Sequence, residues 1–306
     1  MLKNKIIISS IAIVGIVAGS IFYACKKDNN ELLTNDTKAK VAKTGSLENP
    51  YDFVGQLHNK ALDYIAETCD LNTLRGIDVN NAVNDFMQNH FADYESTPYD
   101  EFVQHLERTD ELTAALYTGE MRMGDFWAES GAADAGNVLD RLTSLFKNMN
   151  ATNHLMYPDE FASQVAIFEN EVLCWNKHNN PDETPILNAY SMALATMAVA
   201  KYSYEYWYNA KVNPDHPWHI VIPDDDGDEP LVMGKFGDFF KKVWNAICQA
   251  GNAIEKVFSA ASVDIGGGLE RGFTSDPDIW VPNFDISIRG FVAGAADASG
   301  SYWAGN

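Results

Sequence analysis

The sequence has few cysteines and no recognisable catalytic signature. Four widely spaced cysteines in 306 residues do not make a disulfide framework, and no C-x-x-C pair is present for zinc. The chain also lacks G-x-S-x-G, H-E-x-x-H, G-x-x-x-x-G-K-[ST] and G-x-G-x-x-G. These absences exclude the familiar nucleophile, zinc-protease and nucleotide-binding motifs, and the residues specify no cofactor.

Basic residues are scarce as well. The chain has 22 Lys and Arg against 43 Asp and Glu, a net charge of −21. Nucleic-acid phosphates require clustered Lys and Arg, and anionic lipid head groups attract the same residues. The composition therefore excludes nucleic-acid binding and predicts that the bulk of the protein stays in water.

The N-terminus has the layout of an export signal. Lys3 and Lys5 precede an uncharged run from Ile6 to Ala24, and Cys25 follows directly. The run has 19 residues, close to the roughly 20 that a membrane-spanning helix needs. An uncleaved signal anchor and a simple secretory signal therefore remain open beside a lipoprotein signal.

Phe22-Tyr23-Ala24-Cys25 fills the four positions of a lipobox, and Lys26-Lys27-Asp28 follows the cysteine. The segment resembles the N-terminus of Bacteroidetes-type exported lipoproteins of uncharacterised function, although Phe22 and Tyr23 are bulkier than the usual lipobox residues. The resemblance implies that residues 1–24 are a signal peptide and that Cys25 carries palmitate, which holds the protein to the lipid bilayer. It implies a location in the bacterial cell envelope, with an outer-membrane anchor and either face of that membrane open.

The chain after the signal divides by composition and periodicity. Residues 25–48 are polar and predict a lipidated tether. Residues 49–212 have apolar side chains at spacings of three and four, which predicts a bundle of about six helices. The clearest case predicts a buried central helix over 186–208, through Ile186, Tyr190, Ala193, Met197, Ala200, Tyr204 and Trp207.

The remaining chain has a different character. Prolines and acidic residues predict a linker over 213–234. Residues 235–306 predict one amphipathic helix and then a Gly-rich, largely irregular tail, with one strand where Phe284, Ile286 and Ile288 alternate with polar residues. The predicted fold class is all-α. The apolar stripe of the amphipathic helix would dock on the helical domain or on a partner helix, or alternatively face a membrane, and comprises Phe240, Trp244, Ile247, Ile254 and Phe258.

Two further clusters are candidate sites. One is aromatic, and is either a helix end packed on its neighbours or a stacking platform for a glycan or peptide: Tyr204, Tyr206, Trp207, Tyr208 and Trp218. The other is either a solvated acidic linker or a weak cation site: His216, His219, Asp224 and Asp226.

The remaining histidines and cysteines favour structural roles. The positions of His58, His90 and His105 are typical of core or boundary histidines. Cys69, Cys174 and Cys248 are typical of small buried hydrophobic residues, with one disulfide of unspecified pairing as the alternative.

Three functional hypotheses follow. The first is an envelope-anchored lipoprotein with a non-enzymatic role in binding a protein, glycan or small ligand. The second is a lipoprotein with a membrane-active C-terminal segment, as in a toxin or bacteriocin-like product. The third is an enzyme whose residues converge only in three dimensions.

Overall fold

Helices account for the regular structure. A computed structural model describes residues 48–92, 94–128, 131–151, 156–176, 184–222, 261, 264–269, 271 and 284–304, and no strand occurs among them. The prediction of an all-α bundle is confirmed. The helices are α1 Asp52–Thr68, α2 Gly76–His90, α3 Tyr99–Thr118, α4 Met123–Phe126, α5 Ala133–Ala151, α6 Pro158–Asn176, α7 Thr184–Val212 and α8 Phe284–Trp303, with short 3-10 turns at Leu71–Thr73 and Pro217–Val221.

Helix α7 is the central helix that the apolar spacing predicts. Every residue from Met192 to Ala200 is buried, because α1, α5 and α6 pack around it. Gly55 lets α1 approach closely, since a Cβ there would lie 2.6 Å from the carbonyl oxygen of Ala198. Within the described ranges, no helix is both long enough and apolar enough to cross a membrane.

Buried polar contacts fix the start of the folded unit. The Asn49 amide donates to Glu169 Oε1 at 2.7 Å and to the Leu194 carbonyl at 2.9 Å. Lys201 Nζ donates to Asp52 Oδ1 at 2.6 Å and to Glu169 Oε1 at 3.1 Å. The first turn of α1 is therefore held on α6 and α7 by groups that satisfy one another.

The C-terminal region differs from the predicted irregular tail with a strand at 284–288. Phe284–Trp303 is an α-helix, and its residues from 291 to 300 are all buried. The alternation over 284–289 has the period of a short strand, but it does not continue past Arg289, where Phe291 and Val292 are adjacent apolar residues. Small residues every four positions, at Gly290, Gly294 and Ala298, instead place a narrow face on one side of a helix.

Helix α8 packs on α1, α2 and α3, and residues 49–306 form one compact unit. The start of the predicted linker is also packed, because Pro217–Val221 forms a turn in which Trp218 is fully buried. Its indole N–H donates to the Leu62 carbonyl at 3.1 Å. Helix α8 and the turn at Pro217–Val221 are thus part of the same core as the predicted helical domain.

Candidate functional site

A row of aromatic rings lines a depression between α1 and α2. The Tyr64 and Phe86 ring centroids are 5.9 Å apart, and those of Phe86 and His90 are 4.0 Å apart. The depression has a volume of about 270 Å³. Charged and amide side chains complete its lining: Lys60, Asp63, Glu67 and Asn89.

Helix geometry explains this grouping. Phe86 and His90 are four residues apart on α2, so their rings lie on one face of that helix. Tyr64 meets them from α1, where the residues on either side of its ring, Asp63 and Glu67, are exposed. The combination of ring faces with nearby donors and acceptors can bind a small polar group by stacking and hydrogen bonding.

A second group of residues is sealed inside the bundle around Asp264. The Ser203 hydroxyl donates a short hydrogen bond to Asp264 Oδ2, and the Trp207 indole N–H donates to the same oxygen at 3.0 Å. His58 Nε2 lies 3.4 Å from that oxygen, and both side chains are fully buried. Burial raises the pKa of Asp264 above its usual range, against the opposing effects of His58, Ser203, Ser299 and Trp207.

Serine, histidine and aspartate together suggest nucleophilic catalysis, but the hydrogen bonds among them differ here from those of a catalytic triad. In a catalytic triad the serine hydroxyl donates to the imidazole, which the carboxylate orients from its other side. Ser203 donates instead to the carboxylate of Asp264, and all three side chains are fully buried. This geometry is that of a structural anchor, which joins α1 and α7 to the helical segment 264–269.

A third group surrounds Asp297 on α8. The Arg271 guanidinium pairs with Asp297 and donates to the Thr97 hydroxyl. Asn84 fixes Thr97 by accepting its backbone N–H at 2.9 Å and donating to its carbonyl at 3.0 Å. Burial raises the pKa of Asp297 to about 7, although the charges of Arg271 and His105 act in the opposite direction.

Asp110 on α3 is another buried carboxyl. Burial, followed by repulsion from Glu107 and Glu111, raises the pKa of Asp110 to about 8. A carboxyl with a raised folded-state pKa stabilises the fold below its unfolded pKa of about 3.9, and this contribution is lost as the pH rises through the folded pKa. Asp110 and Asp297 therefore favour the folded state in acid and cease to do so towards pH 7 to 8.

The structure brings most of the predicted aromatic cluster together, but in the core. Tyr204, Trp207 and Trp218 are fully buried and Tyr206 is nearly so, while Tyr208 is partly exposed. The Trp207 ring packs edge-on against Trp218 at 5.5 Å. This arrangement corresponds to the packed helix end rather than to an outward stacking platform.

The two histidines of the predicted cation site make contacts within the fold. His216 Nδ1 accepts the Trp218 backbone N–H at 3.3 Å, and His219 Nδ1 lies 2.8 Å from the Ala210 carbonyl. Among the residues that the structure covers, no three His, Cys, Asp or Glu side chains form a group that could hold a metal ion. The other predicted residues lie outside the described residues: Asp224, Asp226, Cys25, Phe240, Trp244, Ile247, Ile254 and Phe258.

The cysteines have different states. Cys174 is disulfide-bonded and Cys69 is free. Burial raises the pKa of the Cys69 thiol above its usual range, which disfavours the thiolate. For Cys174, the alternative of a disulfide therefore applies in place of a small buried hydrophobic residue. Cys25 and Cys248 lie outside the described residues.

Sequence reasoning missed Asp264, Arg271 and Asp297. The sequence feature that could have identified them is a charged residue within a segment of small and apolar residues, as in Ala295-Ala296-Asp297-Ala298. A charge in such a segment must either face water or find a buried partner. Comparison with protein-family models, curated proteins and solved structures finds no match for this chain.

Proposed function

We propose that the protein is an exported, lipid-anchored helical bundle that binds a small ligand or a partner and does not transform it. The observation that carries the binding role is the ring-lined depression between α1 and α2. Its volume of about 270 Å³ suits a group the size of one sugar ring or one peptide side chain. Tyr64 and His90 supply the stacking surface, and Asn89 supplies an amide for hydrogen bonding.

Two features support export to the cell envelope. The first is the basic and apolar N-terminal segment that ends at Cys25. The second is the disulfide at Cys174, since disulfides persist in oxidising compartments such as the bacterial periplasm and cell surface. A thiol lipidated at Cys25 then attaches the protein to the bilayer.

Replacing Cys25 with serine should release the protein from the membrane fraction and stop the incorporation of labelled palmitate. The reason is that the serine variant has no thiol at the position that the lipobox resemblance assigns to the lipid. Cys69→Ser is the matched control, because it removes the free cysteine and should keep the label. A Cys25→Ser variant that stays in the membrane with residues 1–24 attached would instead identify a signal anchor.

Ligand binding can be tested by NMR titration of the mature protein with panels of monosaccharides and short peptides. Combining Asn89→Ala with His90→Ala should weaken binding at least tenfold, since both exposed side chains line the depression. Asn72→Ala is the control, because Asn72 is exposed in the 3-10 turn away from that lining. If the double variant binds the ligand with the affinity of the wild type, the depression is not the binding site.

A second candidate function is membrane activity of the C-terminal region. The observation in its favour is close helix packing through small residues, with Gly267 against Gly294, which is common between helices in membranes. The mature protein would then release dye from lipid vesicles at low micromolar concentration. Vesicles that keep their dye at tenfold higher protein concentration would eliminate this candidate.

A further inference from the structure

The C-terminal helices pack against each other as an antiparallel pair. Asp264 lies beside Ser299, Gly267 faces Gly294, and Arg271 lies against Gly290. A Cβ on Gly267 would come within 2.3 Å of the Gly294 carbonyl oxygen, so the two backbones are in direct contact. We define these two segments, 264–271 and α8, as the C-terminal pair.

Two fully buried carboxyl groups hold this pair in the bundle. Asp264 anchors it to α1 and α7, and Asp297 anchors it through Arg271 to Thr97. In each carboxyl one oxygen has partners. The other oxygen, Oδ1 of Asp264 and Oδ1 of Asp297, has no hydrogen-bond partner in the described part of the chain.

An oxygen without a hydrogen-bond partner raises the free energy of the ionised carboxyl in the docked state. A buried carboxylate spreads its charge over both oxygens and requires hydrogen-bond donors at each of them. A neutral carboxyl carries no net charge, so it requires fewer donors. A C-terminal pair that left the bundle would expose both groups to water, where aspartate ionises with a pKa of about 3.9. Docking therefore favours the protonated groups and release favours the ionised ones.

Neighbouring charges oppose this effect without cancelling it. Asp264 is faced by His58 from α1, while its neighbours on α7 and α8 are the uncharged Ser203, Trp207 and Ser299. Asp297 is faced by Arg271 within the pair and by His105 from α3, with Tyr94 of the α2–α3 connection nearby. His105 itself contacts Glu101 and Arg108 of α3.

We propose that the C-terminal pair docks onto the bundle with uptake of protons at Asp264 and Asp297, so that docking tightens in acid and loosens at alkaline pH. The pKa of Asp297, which burial raises to about 7, sets the range in which the change occurs. The stabilisation is complete below pH 4 and is lost as the pH rises through about 7.

Amide hydrogen exchange of the mature protein at pH 5.5 and pH 8.5 tests this proposal. Protection factors remove the intrinsic pH dependence of exchange, and the amides of α5 serve as an internal reference for global unfolding. Protection over residues 291–300 should fall at least about tenfold more than that of α5. The pH dependence should be smaller in Asp297→Asn than in the wild type, with the remainder due to Asp264, and it should shrink below about threefold in the double variant Asp264→Asn/Asp297→Asn. Asp85→Asn, at an exposed position of α2, should keep the full pH dependence.

Asp264→Asn provides a second variant if Asp297→Asn does not fold. Equal protection of residues 291–300 at both pH values in the wild type would overturn the proposal. An equal loss in α8 and α5 would also overturn it, because Asp110 on α3 can weaken the whole fold at alkaline pH. Full pH dependence in the folded Asn variants would exclude these two carboxyls as its source.

Discussion

Replacing Met197 with aspartate should abolish the cooperative thermal unfolding of a chain that comprises residues 25–306. Met197 lies at the centre of α7 with no exposed surface, and its neighbours along the helix are buried as well. A carboxylate without a partner at such a site costs several kcal/mol, a large part of the 5 to 15 kcal/mol by which typical domains are stable. Circular dichroism during heating measures the transition.

Met197→Leu is the matched control, since it keeps the volume and the apolar character of the side chain. It should lose less than about 1.5 kcal/mol and keep a single transition. A Met197→Asp protein that melts within a few degrees of the wild type would contradict the central position of α7.

Replacing Gly294 with valine should force the C-terminal pair apart. A Cβ at this position would lie 2.2 Å from the Gly267 carbonyl oxygen and 2.8 Å from Arg271 Cδ. The backbone oxygen cannot turn away as a side chain would, so the two helices must separate and lose their buried contacts. We expect a loss of about 3 kcal/mol or more in the free energy of unfolding, measured in urea.

Gln104→Val is the control, because it puts the same β-branched side chain on an exposed position of α3. Its cost should stay within about 1 kcal/mol, which is the helix propensity of valine alone. Equal stability of Gly294→Val and Gln104→Val would show that the two backbones are not in contact.

Helix α7 could be predicted from the sequence because the spacing of its apolar residues is that of a helix. Apolar residues at three and four positions require burial on one or more faces, whatever the partner is. Helix α8 was missed because its glycines are unfavourable for a helix in isolation. Their advantage is the close approach of Gly267 and Gly294, which depends on two segments whose contact the sequence does not show.

The buried polar and aromatic groups could likewise be predicted only in part, because the sequence does not show which distant segments meet. His58 lies on the apolar face of α1, so its burial could be predicted, but its partner Asp264 comes from a distant part of the chain. The aromatic residues of α7 left two readings open because periodicity does not say what covers a ring. Trp218 and Trp303, which pack on Trp207, provide that cover.

The claim that the C-terminal pair completes the core is tested most directly by comparing a chain of residues 25–306 with one that ends at residue 260. Without the pair, Ser203 and Trp207 lose the Asp264 oxygen that accepts their hydrogen bonds, and apolar surface of α1 and α2 is exposed. We predict that the shortened chain still unfolds cooperatively, but at a temperature at least about 10 °C lower than the full chain. A shortened chain that melts cooperatively at the same temperature as the chain of residues 25–306 would contradict this structure of the core.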